Sequence, residues 1–200
     1  MLHGYSVCRH YGYRVHYFSP GQNDSGFQVS NKATPKFPVE KEVAKMTYHI
    51  EKQIELEAPV ARVWRALTDH REFGEWFRVA LEGPFKAGQV SRGHVTYHGY
   101  EHMKFDATVK EMQREKLFSY TWHPYPADPK RDYSQEAPTL VEFRLEKAAS
   151  GGTLLKVTES GFDKLPSDRR AEAFRMNDEG WVMQMKNLEE HLSLVTAGAY

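Results

Sequence analysis

The segment TLVEFRLEKAASGGTLLKVTESGFDKLPSDRRAEAFRMNDEGWVMQMKNLEEHLSLV, residues 139–195, decides the fold. It opens in strict alternation, with apolar Val141, Phe143 and Leu145 set against charged Glu142, Arg144 and Glu146. A period of two sends successive side chains to opposite faces, so this run is a half-buried strand. Ala148 to Gly152 make a turn, and GTLLKVTES forms a second strand. Beyond Pro166 the period becomes helical: Phe174, Trp181, Met185, Leu188 and Leu192 lie on one stripe. At 1.5 Å per residue, about 27 residues give a helix of roughly 40 Å. Ser167 behind Pro166 is a candidate N-cap, and Asp168 suits the positive end of the helix dipole.

Upstream, Tyr48, Ile50, Ile54 and Leu56 alternate with His49, Glu51, Gln53 and Glu55, which predicts a first strand. Pro59 fits the first turn of a helix whose apolar residues Val60, Val63, Trp64 and Leu67 share one face. HREFGEWF, residues 70–77, reads as a second brief helix or an irregular turn, its aromatics plugging one end of the core. Strand-like runs follow at VALEGPF, QVSRGHVTY, MKFDATVKEM and KLFSYTWHP. Phe118, Tyr120 and Trp122 share a parity that marks an aromatic inner face. Short spacings between successive strands imply an antiparallel meander. The order predicts an α+β fold: a curved antiparallel sheet of about six to seven strands wrapped around a long C-terminal helix, with two short helices after the first strand.

The chain has 200 residues, 40% hydrophobic and 13% aromatic, enough apolar mass for one core. Residues 1–45 lack clean periodicity and read as an N-terminal extension, disordered or loosely packed. Met46 opens the patterned region, so the domain is expected over residues 46–200. Lys plus Arg and Asp plus Glu each number 27, leaving no basic excess to neutralise a nucleic-acid backbone or an anionic membrane. A mean hydropathy of −0.68 and the lack of a long apolar run argue against a membrane-inserted helix. One cysteine, Cys8, cannot form an internal disulfide, and the N-terminus has no apolar leader core, so a cytoplasmic location is expected. Monomer and homodimer both remain open.

The residues also carry a resemblance. ELEAPVARVWRALTD near the start, TESGFDKLP after the last strand, and NDEGW followed by NLEEHL in the final helix resemble the START-related, helix-grip superfamily called SRPBCC. Within it they look like the branch similar to the C-terminal domain of activators of the heat-shock-protein-90 ATPase. The resemblance covers about residues 48 to 194 and implies a helix-grip fold. It also implies a cavity between sheet and long helix for an apolar or aromatic small molecule. Carried over here, that makes Tyr97, Phe105, Tyr120, Trp122, Phe143, Trp181 and Met185 candidate ligand-binding residues. The alternative is that these aromatics simply fill the core.

Three further features concern chemistry. Gly180 interrupts the long helix, where glycine is unfavourable, and it neighbours Trp181; Asn177 and Asp178 stand where an apolar residue is expected. The pair predicts either a polar notch that orients a ligand or a helix bend with solvated polar groups. Glu159 shares the parity of Leu155 and Val157, so its carboxylate faces inward. It is a candidate polar anchor or general base, or else a structural hydrogen-bond acceptor closing the turn into the helix. His123 opens the long loop HPYPADPKRDYSQEAPT, whose four prolines suit a lid, a partner contact or a semi-rigid connection.

No cofactor is implied, because no Gly-rich phosphate loop or nucleophile motif is present. His94, His98 and His102 are spaced by four, and on a strand four residues span roughly 13 Å, too far for His94 and His98 to share one metal ion; His98 and His102 could approach across a Gly99 turn, but two ligands without a clear third make a weak metal site. Cys8, His10 and His16 in the extension are not read as a site. Three functions follow. The first is a carrier or sensor for a hydrophobic or aromatic small molecule. The second is a cyclase- or hydratase-like enzyme acting on an aromatic or polyketide-like substrate with Glu159 and His123 as acid and base. The third, implied by the resemblance, is a regulator of a chaperone ATPase with that chaperone as partner. The eukaryotic activators carry a separate chaperone-engaging domain, for which residues 1–45 are too short.

Overall fold

The alternation that opens the domain becomes β1 (Ile50–Leu56), with Ile50 and Leu56 each 2% exposed and Glu51 and Glu55 in solvent. The structure is a computed structural model and describes residues 48–126, 128 and 130–197. The extension expected over residues 1–45, with Cys8, His10 and His16, lies outside the described residues.

Two helices follow, α1 (Val60–Thr68) and α2 (His70–Phe77). The segment left open between helix and turn is helical because Asp69 caps it, its carboxylate accepting the Arg71 and Glu72 N–H groups. Gly74 lets the chain fold back on α2: a Cβ there would sit 2.5 Å from the Val79 carbonyl oxygen. Arg78 then closes the helix in the left-handed conformation, φ 61° and ψ 54°.

The remaining strands are β2 (Val79–Leu81), β3 (Val90–Val95), β4 (Lys104–Gln113), β5 (Leu117–Trp122), β6 (Thr139–Lys147) and β7 (Thr153–Ser160). β2 is shorter than the run that predicted it, because Gly83 and Pro84 cut it off. All neighbours are antiparallel, in the order β1-β7-β6-β5-β4-β3-β2. The meander expected from the short spacings is therefore the whole sheet, with β1 added beside β7.

The long helix α3 (Arg170–Ala197) lies against this curved sheet. It starts three residues after Ser167, which sits in a turn and is not its cap; the Pro166 carbonyl accepts the Arg169 and Arg170 N–H groups there. The buried face of α3 is Ala173, Asn177, Trp181, Met185, Leu188 and Leu192. Phe174 lies at its edge, packed edge-on against Tyr48 and Phe162 at 5.7 and 5.3 Å. Asn177 thus occupies a core position on the helix, and the reason lies on the sheet opposite. Among the described residues, no helix is long and apolar enough to cross a membrane.

Candidate functional site

Glu159 comes from the end of β7, where parity turns its side chain inward and leaves it fully buried. A carboxylate in such a place requires donors. Oε1 accepts Trp122 Nε1 at 2.8 Å, Thr139 Oγ1 at 2.6 Å and Asn177 Nδ2 at 3.0 Å. Oε2 accepts Trp181 Nε1 at 2.7 Å and the same Asn177 nitrogen at 3.0 Å. None of these donors is a cation. Burial therefore raises the Glu159 pKa above 4.5, against the opposing pull of the hydrogen bonds from Thr139, Trp181, Trp122 and Asn177. Tyr120 lies on the same lateral row through Val141. Its hydroxyl is buried without a partner, and burial together with the Glu159 charge keeps the phenol un-ionised.

The two indoles bound to Glu159 also face a cavity of about 890 Å³ between β3–β4, the loop after β5 and α3. Phe77, Phe105, Trp122 and Trp181 form its aromatic floor, with ring centroids 5.8 to 6.3 Å apart. Gly180 adds no side chain, and a Cβ built on it meets nothing within 4 Å. The rim carries Tyr97 and Tyr100, 46% and 41% exposed, whose rings contact each other at 6.0 Å. This size and aromatic lining fit a small-molecule pocket.

The loop of residues 123–138 supplies one wall through His123, Tyr125 and Tyr133. It is tied to the start of α3 by charge. Arg169 Nε and Arg131 Nε each donate to Glu136 at 3.0 Å, and the Arg169 and Glu136 side chains are 9% and 7% exposed. Arg131 also holds Asp168 at 2.8 Å, Arg169 donates to the Pro124 carbonyl at 2.7 Å, and its guanidinium lies 4.9 Å over the Tyr133 ring. His123 donates from Nε2 to the Glu136 carbonyl at 3.1 Å.

Of the residues singled out in sequence, Tyr97, Phe105, Trp122, His123, Asn177, Gly180 and Trp181 meet at the cavity. Tyr120, Phe143 and Met185 belong to the packed core, with Phe143 edge-on to Trp181 at 5.7 Å. Asp178, adjacent to Asn177, turns outward to Lys52 at 2.7 Å. Glu159 and His123 share no hydrogen bond among the described residues, each being held by other groups. His94 lies in β3, while His98 and His102 lie in the bend before β4. Among the described residues, no group of three or more His, Cys, Asp or Glu could hold a metal ion. Sequence reading missed Phe77, Arg78, Tyr125, Tyr133 and Thr139. Thr139 shares the parity of inward Val141, a signal that was present; Arg78 owes its place to its left-handed backbone, which no pattern announces.

Comparison with known proteins agrees with the fold. The model of the family described as Activator of Hsp90 ATPase homolog 1-like protein matches residues 57–193. A solved structure from Mesorhizobium loti is 25% identical, covers 72% of this chain and 96% of that one, and has a TM-score of 0.58. One from Nitrosomonas europaea, 21% identical over 74% of this chain and 96% of that one, has a TM-score of 0.58. DynU16, a putative protein in the dynemicin biosynthetic locus, is 23% identical with a TM-score of 0.55; the match covers 72% of this chain and 47% of that one, about half its length. These last two share the fold. No curated protein matches the chain in sequence.

Proposed function

The chain belongs to the family of Activator of Hsp90 ATPase homolog 1-like proteins and has their SRPBCC-type helix-grip fold, and from that premise we propose that it binds a hydrophobic or aromatic small molecule in the cavity between sheet and α3. It acts as a carrier or sensor in the cytoplasm. One observation carries the reading: an aromatic-floored cavity of about 890 Å³, set beside a glycine that leaves open space in the middle of the long helix. A concave, mostly apolar recess of this size with a few polar groups at its edge is the usual form of a small-molecule site.

The Glu159 network supports the same reading. Its donors point both floor indoles at the carboxylate, so their planes are fixed before any ligand arrives. Preorganised rings lose little freedom on binding, which favours affinity. Because all the donors are oriented toward Glu159, its oxygens serve as an anchor for the floor in preference to a general base.

Native mass spectrometry of freshly purified protein, followed by solvent extraction, tests the proposal. A reproducible adduct is expected, and it should vanish in Gly180→Phe, which fills the cavity. A bare mass together with no thermal shift from a panel of planar aromatics would sink it.

The family description favours a second reading, regulation of a chaperone ATPase. Capture by an Hsp90-type chaperone with a change in its ATPase rate would support that role, and the absence of both would dispose of it.

A further inference from the structure

We propose that the cavity selects its occupant by shape, taking a compact, puckered alicyclic compound of fused or bridged saturated rings in preference to a flat aromatic one of the same carbon skeleton. This rests on the ligand-binding reading above and narrows the chemical class of the ligand.

Two rings of the aromatic floor, Phe77 and Trp122, are half-buried and reach the open space. Their planes cross at 62° with centroids 6.0 Å apart, an edge-to-face pair. Rings set in this way make a corner, one serving as floor and the other as side wall. A flat aromatic ligand stacks on a single ring, so in a corner it covers one wall and leaves the other to water. A puckered body has thickness as well as area. Its C–H groups reach both walls at once, and dispersion contacts add with their number.

The corner is fixed from behind. Trp122 donates its indole N–H to Glu159 at 2.8 Å, and Phe77 stacks at 4.8 Å and 19° on Phe73, which is fully buried. Phe105 and Trp181, 2% and 3% exposed, fill the space beneath, and each is tilted to both corner rings by 48° to 73°. To turn parallel to Phe77, Trp122 would have to abandon the carboxylate and leave it a donor short. The remaining wall suits the same shape. Met176 and Met183 of α3 flank Gly180, and Met103 lies just before β4. Thioether chains mould themselves to curved surfaces, and the space beside Gly180 adds depth. The volume, about 890 Å³, lies near the top of the range usual for drug-sized ligands, room for a body thicker than one aromatic plane.

Naphthol and decalol test this, because they share one carbon skeleton and one hydroxyl and differ only in hydrogenation, which separates the flat molecule from the puckered one. Titrated calorimetrically into the full chain, decalol is expected to bind about tenfold more tightly. Phe77→Leu, or Phe77→Met should the leucine variant fail to fold, removes one wall of the corner and should bring that ratio down to about twofold or less. Gly180→Phe, or Gly180→Leu should the larger variant fail to fold, should abolish binding of both. Naphthol binding as tightly as decalol, both lost on filling the cavity, would leave the ligand-binding reading intact and overturn the selection by shape. A preference for decalol that persists unchanged in the Phe77 variant would overturn it too, since the difference would then lie in the probes alone. Binding of neither, or binding indifferent to the filled cavity, would overturn the ligand-binding reading and the selection by shape with it.

Discussion

Asn177 on α3 donates to both carboxylate oxygens of Glu159 on β7, at 3.0 Å each. The long helix is therefore held to the sheet by a polar clamp inside an otherwise apolar interface. Such clamps fix register as well as energy, since the helix cannot slide by a turn without stranding the carboxylate. Asn177→Leu keeps the volume and removes the donor, and it should lower stability by about 2–3 kcal/mol. Asn177→Asp sets a second carboxylate against the first and should cost more. Urea unfolding of the two variants checks the order; equal midpoints for wild type and Asn177→Leu would show that the clamp contributes nothing.

Glu159 itself makes stability depend on pH in a direction opposite to most carboxylates. Its folded pKa is raised above 4.5, so between that value and the folded pKa the native state binds more protons than the unfolded chain. Its contribution to stability is therefore greatest below the unfolded pKa and falls as pH rises through the folded one. Glu159→Gln has no such titration, and it turns an amide nitrogen toward donors, leaving a buried N–H unpaired at about 1–3 kcal/mol. The variant should be less stable, and the gap should widen as pH is lowered toward about 4.5, measured by unfolding across a pH series. A gap that narrows with falling pH would mean that the donors outweigh burial.

The fold was legible because it rests on periodicity. Val141, Phe143 and Leu145 alternate cleanly, the α3 stripe repeats at helical spacing, and both periods survive in the structure. The site was legible only in part. Glu159 was found by parity, and Asn177 and Gly180 were found as exceptions to the stripe, because a polar group or a glycine at a core position breaks a pattern. Their pairing was not, since β7 and α3 meet only in three dimensions. Arg131, Glu136 and Arg169 were missed for the same reason: the charge partners of a loop obey no period.

The Glu136 carboxylate holds the cavity wall in place by binding Arg131 and Arg169 together. Removing one member of a buried ion pair leaves the other uncompensated, at about 3–5 kcal/mol. Glu136→Gln keeps one acceptor and loses the charge, so it should fall at or below the lower end of that range. The loss should be local: limited proteolysis is expected to cut faster within residues 125–135 while the sheet stays intact. Unchanged cleavage in that stretch would mean that the prolines, and not the ion pairs, hold the loop.

Gly180 separates a packing role from a cavity role. Where a helical glycine is kept because a neighbour presses on it, alanine clashes and destabilises. Here the added Cβ meets nothing within 4 Å, in contrast to Gly74, where it would meet a carbonyl oxygen at 2.5 Å. Gly180→Ala should therefore stabilise the protein by about 0.5–1 kcal/mol through helix propensity alone. Gly74→Ala should destabilise it. Each larger residue at position 180 takes volume from the cavity, so along Ala, Leu and Phe the stability should hold while uptake of an aromatic probe declines. Thermal melts run beside probe titrations on the same three variants read both quantities. A fall in stability along the series would assign Gly180 to packing and remove the open space on which the ligand site depends.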